Sequence, residues 1–160
     1  MKKNLFFILF FVSTIFSGYK VFAGEQLVDN DAAAGQPGLS HIMSGNWTWI
    51  SSGYFGDARI SYDKSGAFYA YGFNPTNRTN VVNFYAYLAN PAFESTAAYN
   101  VASPPGIGEG NTIEQYYAAV GWNWIGDLGA TNWNLAANVG KPNNVNIQGG
   151  LGADAFKVTW

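Results

Sequence analysis

Cysteine is absent from this 160-residue chain, histidine occurs once, and charged residues make up only 11% of it. Without cysteine there is no disulfide framework, no thiolate metal site and no thiol nucleophile. With His41 as the one histidine, a zinc centre falls short of its usual three or four nitrogen and sulfur ligands. A serine triad built on His41 would want a Gly-x-Ser-x-Gly turn, and the chain has none. His41 therefore reads as a turn or surface histidine. Helical periodicity is missing too, because no stretch after Ala23 holds an apolar 3.6-residue period over ten residues. No apolar run reaches the ~18–20 residues that cross a bilayer.

The longest such run, Leu5 to Phe16, is broken by Ser13 and Thr14, follows Lys2-Lys3 and precedes Val21-Phe22-Ala23. That pattern is a secretory signal peptide over residues 1–23, which predicts a secreted, extracellular protein with no stable membrane insertion. Removing 23 of the 160 residues leaves 137, enough for a single core without disulfides or metals. Residues 24–160 carry five basic residues (Arg59, Lys64, Arg78, Lys141, Lys157) against ten acidic ones, formally −5. A scattered, outnumbered set of cations repels phosphate polymers and argues against nucleic acid as a partner.

What the sequence has in quantity is asparagine, 16 residues from Asn30 to Asn146, with six tryptophans and an aromatic share of 18%. Neutral donors, acceptors and flat rings suit a neutral polyhydroxylated ligand, although turns also consume asparagine. Short alternating runs, bounded by Gly, Pro, Asn and Asp, predict strands. They are Gln26–Asp29, Ile42–Ile50, Ala58–Tyr62, Ala67–Phe73, Val81–Ala89, Ala97–Ala102, Thr112–Tyr117, Trp122–Ile125, Asn132–Leu135, Asn144–Gln148 and Ala153–Thr159. Asp31–Leu39, Asn74–Asn80, Asn90–Ser95, Ser103–Asn111 and Ala136–Asn143 carry the turn chemistry. Roughly nine to eleven strands in one such unit predict an all-β fold, a two-sheet antiparallel β-sandwich of the jelly-roll kind. Alternation opposes Val81, Asn83, Tyr85 and Tyr87 to Val82, Phe84 and Ala86, without saying which set is core. It also points Trp47 and Trp49 the same way.

Few residues suggest chemistry. Acidic pairs for glycoside cleavage can be drawn from Asp29, Asp31, Asp57, Asp63, Glu94, Glu109, Glu114, Asp127 and Asp154, but spacing singles out none. The expectation is therefore a non-enzyme. Asp29-Asn30-Asp31 offers three oxygen side chains to a structural calcium ion. Asx turns explain the same residues without an ion, so no cofactor is expected. The tryptophans divide between two roles: a sandwich of this size needs several large rings in its core, while an exposed indole can stack on a sugar face.

Val28-Asp29-Asn30, Ser44-Gly45-Asn46-Trp47, Gly53-Tyr54-Phe55-Gly56-Asp57-Ala58-Arg59, Ala98-Tyr99-Asn100-Val101, Glu114-Gln115, Gly121-Trp122-Asn123-Trp124-Ile125-Gly126, Val145-Asn146-Ile147 and Gly152-Ala153-Asp154-Ala155-Phe156-Lys157-Val158 follow one another in that order. In this order they resemble the golvesin and xanthan-lyase C-terminal domain. The resemblance covers residues 24–160 and implies an extracellular β-sandwich accessory domain of carbohydrate-binding character. It also implies Trp47 and Trp122 as core rings and Asp154 as a buried acceptor for loop N–H groups. Such domains are usually attached to a polysaccharide-degrading enzyme. Standing without one, the chain is expected to act in free lectin-like binding, adhesion or matrix assembly.

The sequence thus predicts a secreted, non-catalytic module that recognises a neutral glycan or polysaccharide by aromatic stacking and Asn/Asp hydrogen bonds. The site is expected in Trp47–Asp57 and Trp122–Asp127, with Trp49, Tyr54, Asp57, Trp124 and Asp127 touching the ligand and no catalytic or metal residues. The alternative is a structural or protein-interaction module of the surface or matrix. Self-association or another surface protein would be its partner, through Trp160 and the strand Phe68-Tyr69-Ala70-Tyr71.

Overall fold

From Val82 to Leu88 every second side chain is buried and every other one is partly open to solvent. That period of two is what a strand with one face on a core requires. In the computed structural model the described residues are 24–30, 40–63, 66–73, 81–89, 92–103, 107–129, 135–141 and 149–160. They form β1 (Glu25–Val28), β2 (Ser40–Ser44), β3 (Thr48–Ile50), β4 (Ala58–Ser61), β5 (Phe68–Phe73), β6 (Val82–Leu88), β7 (Thr96–Ser103), β8 (Ile107–Glu114), β9 (Gly121–Leu128), β10 (Leu135–Gly140), β11 (Leu151–Ala153) and β12 (Phe156–Thr159). A 3₁₀ turn at Tyr54–Gly56 joins β3 to β4. Among these residues no helix is long and apolar enough to cross a membrane.

The strands build an antiparallel β-sandwich. One sheet runs β1-β12-β6-β9, a second β2-β5-β10-β7-β8, and a small third one β11-β4-β3. With β2 set aside as an added edge, the two large sheets have the strand order of a jelly roll, the first and last described strands, β1 and β12, lying side by side. Val82, Phe84, Leu88, Phe156 and Val158 of the first sheet face Tyr71, Phe73, Tyr99, Leu135 and Val139 of the second. Phe73 meets Phe84 edge-on at 6.2 Å, and Phe156 lies 4.8 Å from Tyr71. Each such fully buried ring contributes about 1.5–3 kcal/mol of transfer free energy.

Several strand boundaries differ from the sequence reading, each for a visible reason. The run Ile42–Ile50 is two strands, because the chain leaves β2 at Gly45, which takes φ +83° and packs its Cα onto Ala67. Ala153–Thr159 is likewise cut at Asp154-Ala155, where the chain passes from the small sheet to the four-stranded one. Within the expected turn Ser103–Asn111, the described residues are strand: Ser103 ends β7, and residues 107–111 belong to β8, an edge strand whose Gly108 and Gly110 pair with Ala102 and Asn100. Of the expected turn Ala136–Asn143, residues 136–140 are strand, since β10 extends through Ala136 to Gly140. It is hydrogen-bonded on both sides, to β5 and β7. Asn144–Gln148, residues 132–134, the turns Asp31–Leu39 and Asn74–Asn80, and residues 1–23 lie outside the described residues.

Candidate functional site

The outer face of the four-stranded sheet carries an aromatic row. Tyr87 pairs with Trp122, Tyr85 with Trp124 and Asn83 with Asp127, and paired residues share a face. Trp124 and Asp127 are three residues apart and would lie on opposite faces of a regular strand. A bulge reconciles them. Gly126 opposes Phe84 and Trp124 opposes Tyr85, so Ile125 is the extra residue, and it drops into the core. Trp124 is 51% exposed, and its Nε1–H donates to Asn83 Oδ1 at 3.3 Å. From β12, the Lys157 ammonium lies 4.7 Å from the Trp122 ring centre and 5.4 Å from that of Tyr85, while pairing with Glu25 at 3.4 Å. The cation thus clamps two rings in place.

Tyr54 closes one end of the row. Its ring lies 5.2 Å from both Tyr87 and Trp122, and 4.3 Å from Phe55. Phe55, 82% exposed, sits at φ +54°. A left-handed backbone costs a non-glycine residue about 1–2 kcal/mol, so the turn is held from outside. Both carboxylate oxygens of Asp154 accept the Tyr54 N–H, at 3.1 and 3.0 Å, and one of them also accepts from Ala155 N–H at 2.8 Å. Burial pushes the Asp154 carboxyl up to about 8, against the pull of those N–H groups, with Asp29 and Asp57 adding to the rise. The Tyr71 hydroxyl, itself driven well above the usual phenol range mainly by burial, donates to the Asp154 backbone carbonyl. Gly53 is obligatory here. A Cβ on it would stand 2.3 Å from the Asp57 carbonyl oxygen and 2.5 Å from Asp154 Oδ2.

Trp49 and Asp57 form a second group, on the small sheet. Trp49 is 52% exposed, and its Nε1–H donates to Asp57 Oδ2 at 3.2 Å. Arg59 is its cross-strand partner on the same face. The predicted residues therefore fall into two sets: Trp124 with Asp127 on one sheet, Trp49 with Asp57 on another. Tyr54 contacts Trp122 of the first set through the segment that begins in the second.

Three expectations are corrected. Trp47 and Trp49 do not point the same way, because Trp47 precedes β3; it packs edge-on against Tyr69 at 5.3 Å and donates to the Ser44 carbonyl at 2.9 Å. Trp122 is not a core ring but lies half-buried on the outer face. Tyr69 and Tyr71 are buried, and Trp160 is partly buried against the core, so neither offers the aromatic patch expected of them. Asp154 is the buried acceptor anticipated. Sequence reasoning missed Asn83, Tyr85, Tyr87, Phe55 and Lys157. The alternation through β6 already grouped the first three; only the side that faces water was undetermined.

Asn30 is buried and donates from Nδ2 to the Asp57 carbonyl at 3.2 Å, while its own carbonyl accepts from the Tyr69 hydroxyl. Asp29 Oδ1 accepts the Asn30 N–H at 2.8 Å, a bond to the next residue and not the two-residue reach of an Asx turn. Among the described residues no group of three or more His, Cys, Asp or Glu is placed to hold a metal ion, and Asp31 lies outside them.

No protein-family model matches the chain, and no curated protein matches it. Among solved structures it is similar to a Paenibacillus xanthan lyase, with a TM-score of 0.63 and 20% identity over 84% of this chain. The matched region is 13% of the lyase, so the chain is similar to a small part of that protein, and at this identity the likeness is one of fold.

Proposed function

We propose that the chain is an extracellular, non-catalytic module that binds neutral polysaccharide across the outer aromatic face of its four-stranded sheet. The observation that carries this is the row of Trp122 and Trp124 beside Tyr85 and Tyr87, bordered by Asn83 and Asp127. A pyranose lays its C–H face on an indole, and flanking amide and carboxylate groups take its hydroxyls. Rings already fixed by Lys157, Asn83 and Tyr54 lose little freedom on binding. Glu25 pairs with Lys157, the cation that the described residues place on this face, and Asp127 adds a second negative charge to it, which favours neutral over acidic sugars. Likeness in fold to part of a xanthan lyase, the resemblance to the golvesin and xanthan-lyase C-terminal domain, and the Lys2-Lys3-led apolar segment support the extracellular setting. The reading requires no cofactor. One ring binds weakly, so useful retention needs an extended glycan.

The test is retention on insoluble polysaccharides together with a glycan array. Trp124→Ala should abolish retention while shifting thermal unfolding by only a few degrees, since a half-exposed ring contributes far less than the ~3–5 kcal/mol of a buried one. Full retention by Trp124→Ala would remove this reading.

A second reading, a protein-interaction or self-associating module, draws on a different surface from the one the sequence suggested. Tyr116, Tyr117 and Val120, between β8 and β9, are all exposed, the two rings 5.1 Å apart. Light scattering separates the two: a defined oligomer indifferent to sugars favours this one.

A further inference from the structure

We propose that Phe55 is a further ligand-contact residue, which carries the aromatic row of the four-stranded sheet onto the Tyr54–Gly56 turn and makes the ligand an extended, linear glycan chain and not a single terminal sugar. This rests on the reading of that row as a sugar platform. It adds to it where the platform ends and how long a chain it holds.

Three residues of the turn have positive φ: Gly53 at +141°, Phe55 at +54° and Gly56 at +98°. Two are glycines, which adopt such a backbone without steric cost. Phe55 is the one non-glycine residue among the described ones to do so. It is also the most exposed large apolar side chain among them, at 82%. A singly exposed ring needs no explanation, but one held in a left-handed backbone does. The ring it meets among the described residues is that of Tyr54, its neighbour in the chain, and its exposure leaves little burial to offset the strain. Glycine or asparagine would take the same φ more easily. Folding thus gains little from a phenyl group here, and what the ring offers is a contact with something outside the chain.

The position of that ring says which ligand it meets. Tyr54 stands 4.3 Å from Phe55 and 5.2 Å from Trp122, so the rings follow one another from β9 onto the turn. The turn is closed by the Gly56 N–H on the Gly53 carbonyl at 3.2 Å and fixed at the Tyr54 N–H by Asp154. Phe55 is therefore presented in one place before any ligand arrives. The approach beside it is open, since a Cβ on Gly56 would meet no atom within 4 Å. A glycan chain that lies on Trp122 and continues past Tyr54 meets the Phe55 face, which takes the C–H groups of a further pyranose.

The experiment titrates the ¹⁵N-labelled full chain with cello-, laminari- and manno-oligosaccharides, each from the monosaccharide to the hexamer, following amide shifts. At least one series should bind with an affinity that rises with chain length. Phe55→Asn, which accepts the left-handed backbone but has no ring, should weaken the longest oligomer of that series about three- to tenfold, the loss growing with length. Its thermal midpoint should be unchanged or raised, because the strain is relieved. Phe55→Tyr keeps the flat face and should restore the lost affinity. A loss that is absent, or equal at every length, overturns the inference. So does a midpoint lowered by several degrees, which would make the ring a support of the turn. A molar mass by light scattering that falls in Phe55→Asn overturns it as well, since the ring would then face another copy of the chain. No length-dependent binding in any series overturns it too, and retention on insoluble polysaccharide, measured alongside, says whether the row falls with it. Retention abolished by Trp124→Ala and untouched by Phe55→Asn removes Phe55 and keeps the row; retention untouched by Trp124→Ala removes the row and this inference with it.

Discussion

Asp154 shows how one buried carboxylate sets the position of exposed rings. It takes N–H groups from Tyr54 and Ala155, and Tyr54 in turn packs on Trp122. Its carboxyl lies at about 8 in the folded protein, raised chiefly by burial, against about 4 in an unfolded chain. Between those values the native state holds a proton that the unfolded state has lost. Its contribution to stability is then full below about pH 4 and lost as pH rises towards 8. Calorimetry should show the unfolding temperature falling between about pH 5 and pH 8, with the slope flattened in Asp154→Asn. An unchanged slope in that variant would mean that another group titrates. Gly53 owes its identity to the same corner, because only glycine fits between the Asp57 carbonyl and the Asp154 carboxylate at φ +141°.

At the scale of elements, the small sheet is fastened to the body through Gln115. Its Nε2 donates to the Gly152 carbonyl at 2.8 Å and to the Tyr99 hydroxyl at 2.6 Å, and its Oε1 accepts the Gly152 N–H at 2.9 Å. Gln115 is fully buried, so Gln115→Leu leaves these partners without water or protein to bond. Urea unfolding should show a loss of about 2–4 kcal/mol. A loss below about 1 kcal/mol would place the anchor elsewhere. Much of this level was readable beforehand. The uninterrupted period of two in Val82–Leu88, and Tyr69, Tyr71 and Phe73 in β5, mark strands from sequence alone. The first part of β8, residues 107–111, was hidden because its glycines have low strand propensity and gain their place only by pairing with β7, while Thr112–Glu114 fell in a predicted strand. β10 was hidden because Asn138 sits in its middle, with Asn100 across the strand accepting the role of partner: Asn100 Nδ2 donates to Asn138 Oδ1 at 3.1 Å. Of the proposed site, the sequence picked out Trp124 and Asp127 but not Asn83, Tyr85, Tyr87 or Lys157. Tryptophan beside asparagine or aspartate drew attention to both segments, but the Ile125 bulge and the break before Thr48 decide which indoles face out, and local alternation encodes neither.

For the whole molecule, the jelly-roll order makes nearly every ladder join strands far apart in sequence, the first to the last among them. Loop closure must precede any reward from such contacts, so refolding after denaturant dilution should take milliseconds to seconds. A stopped-flow trace complete within microseconds would contradict this. Trp160 N–H donates to the Gly24 carbonyl at 3.0 Å, and Gly24 N–H to the Trp160 carbonyl at 2.8 Å. Residues 24 and 160 are thereby neighbours at one end of the β1–β12 ribbon. A tensile load applied through these two positions pulls across the ribbon and not along it, so its bonds break one after another from that end. Anchored by one end, the sandwich bears no such load; strung between two anchors, it peels open like a zip, at a force set by single bonds and not by the sheet as a whole.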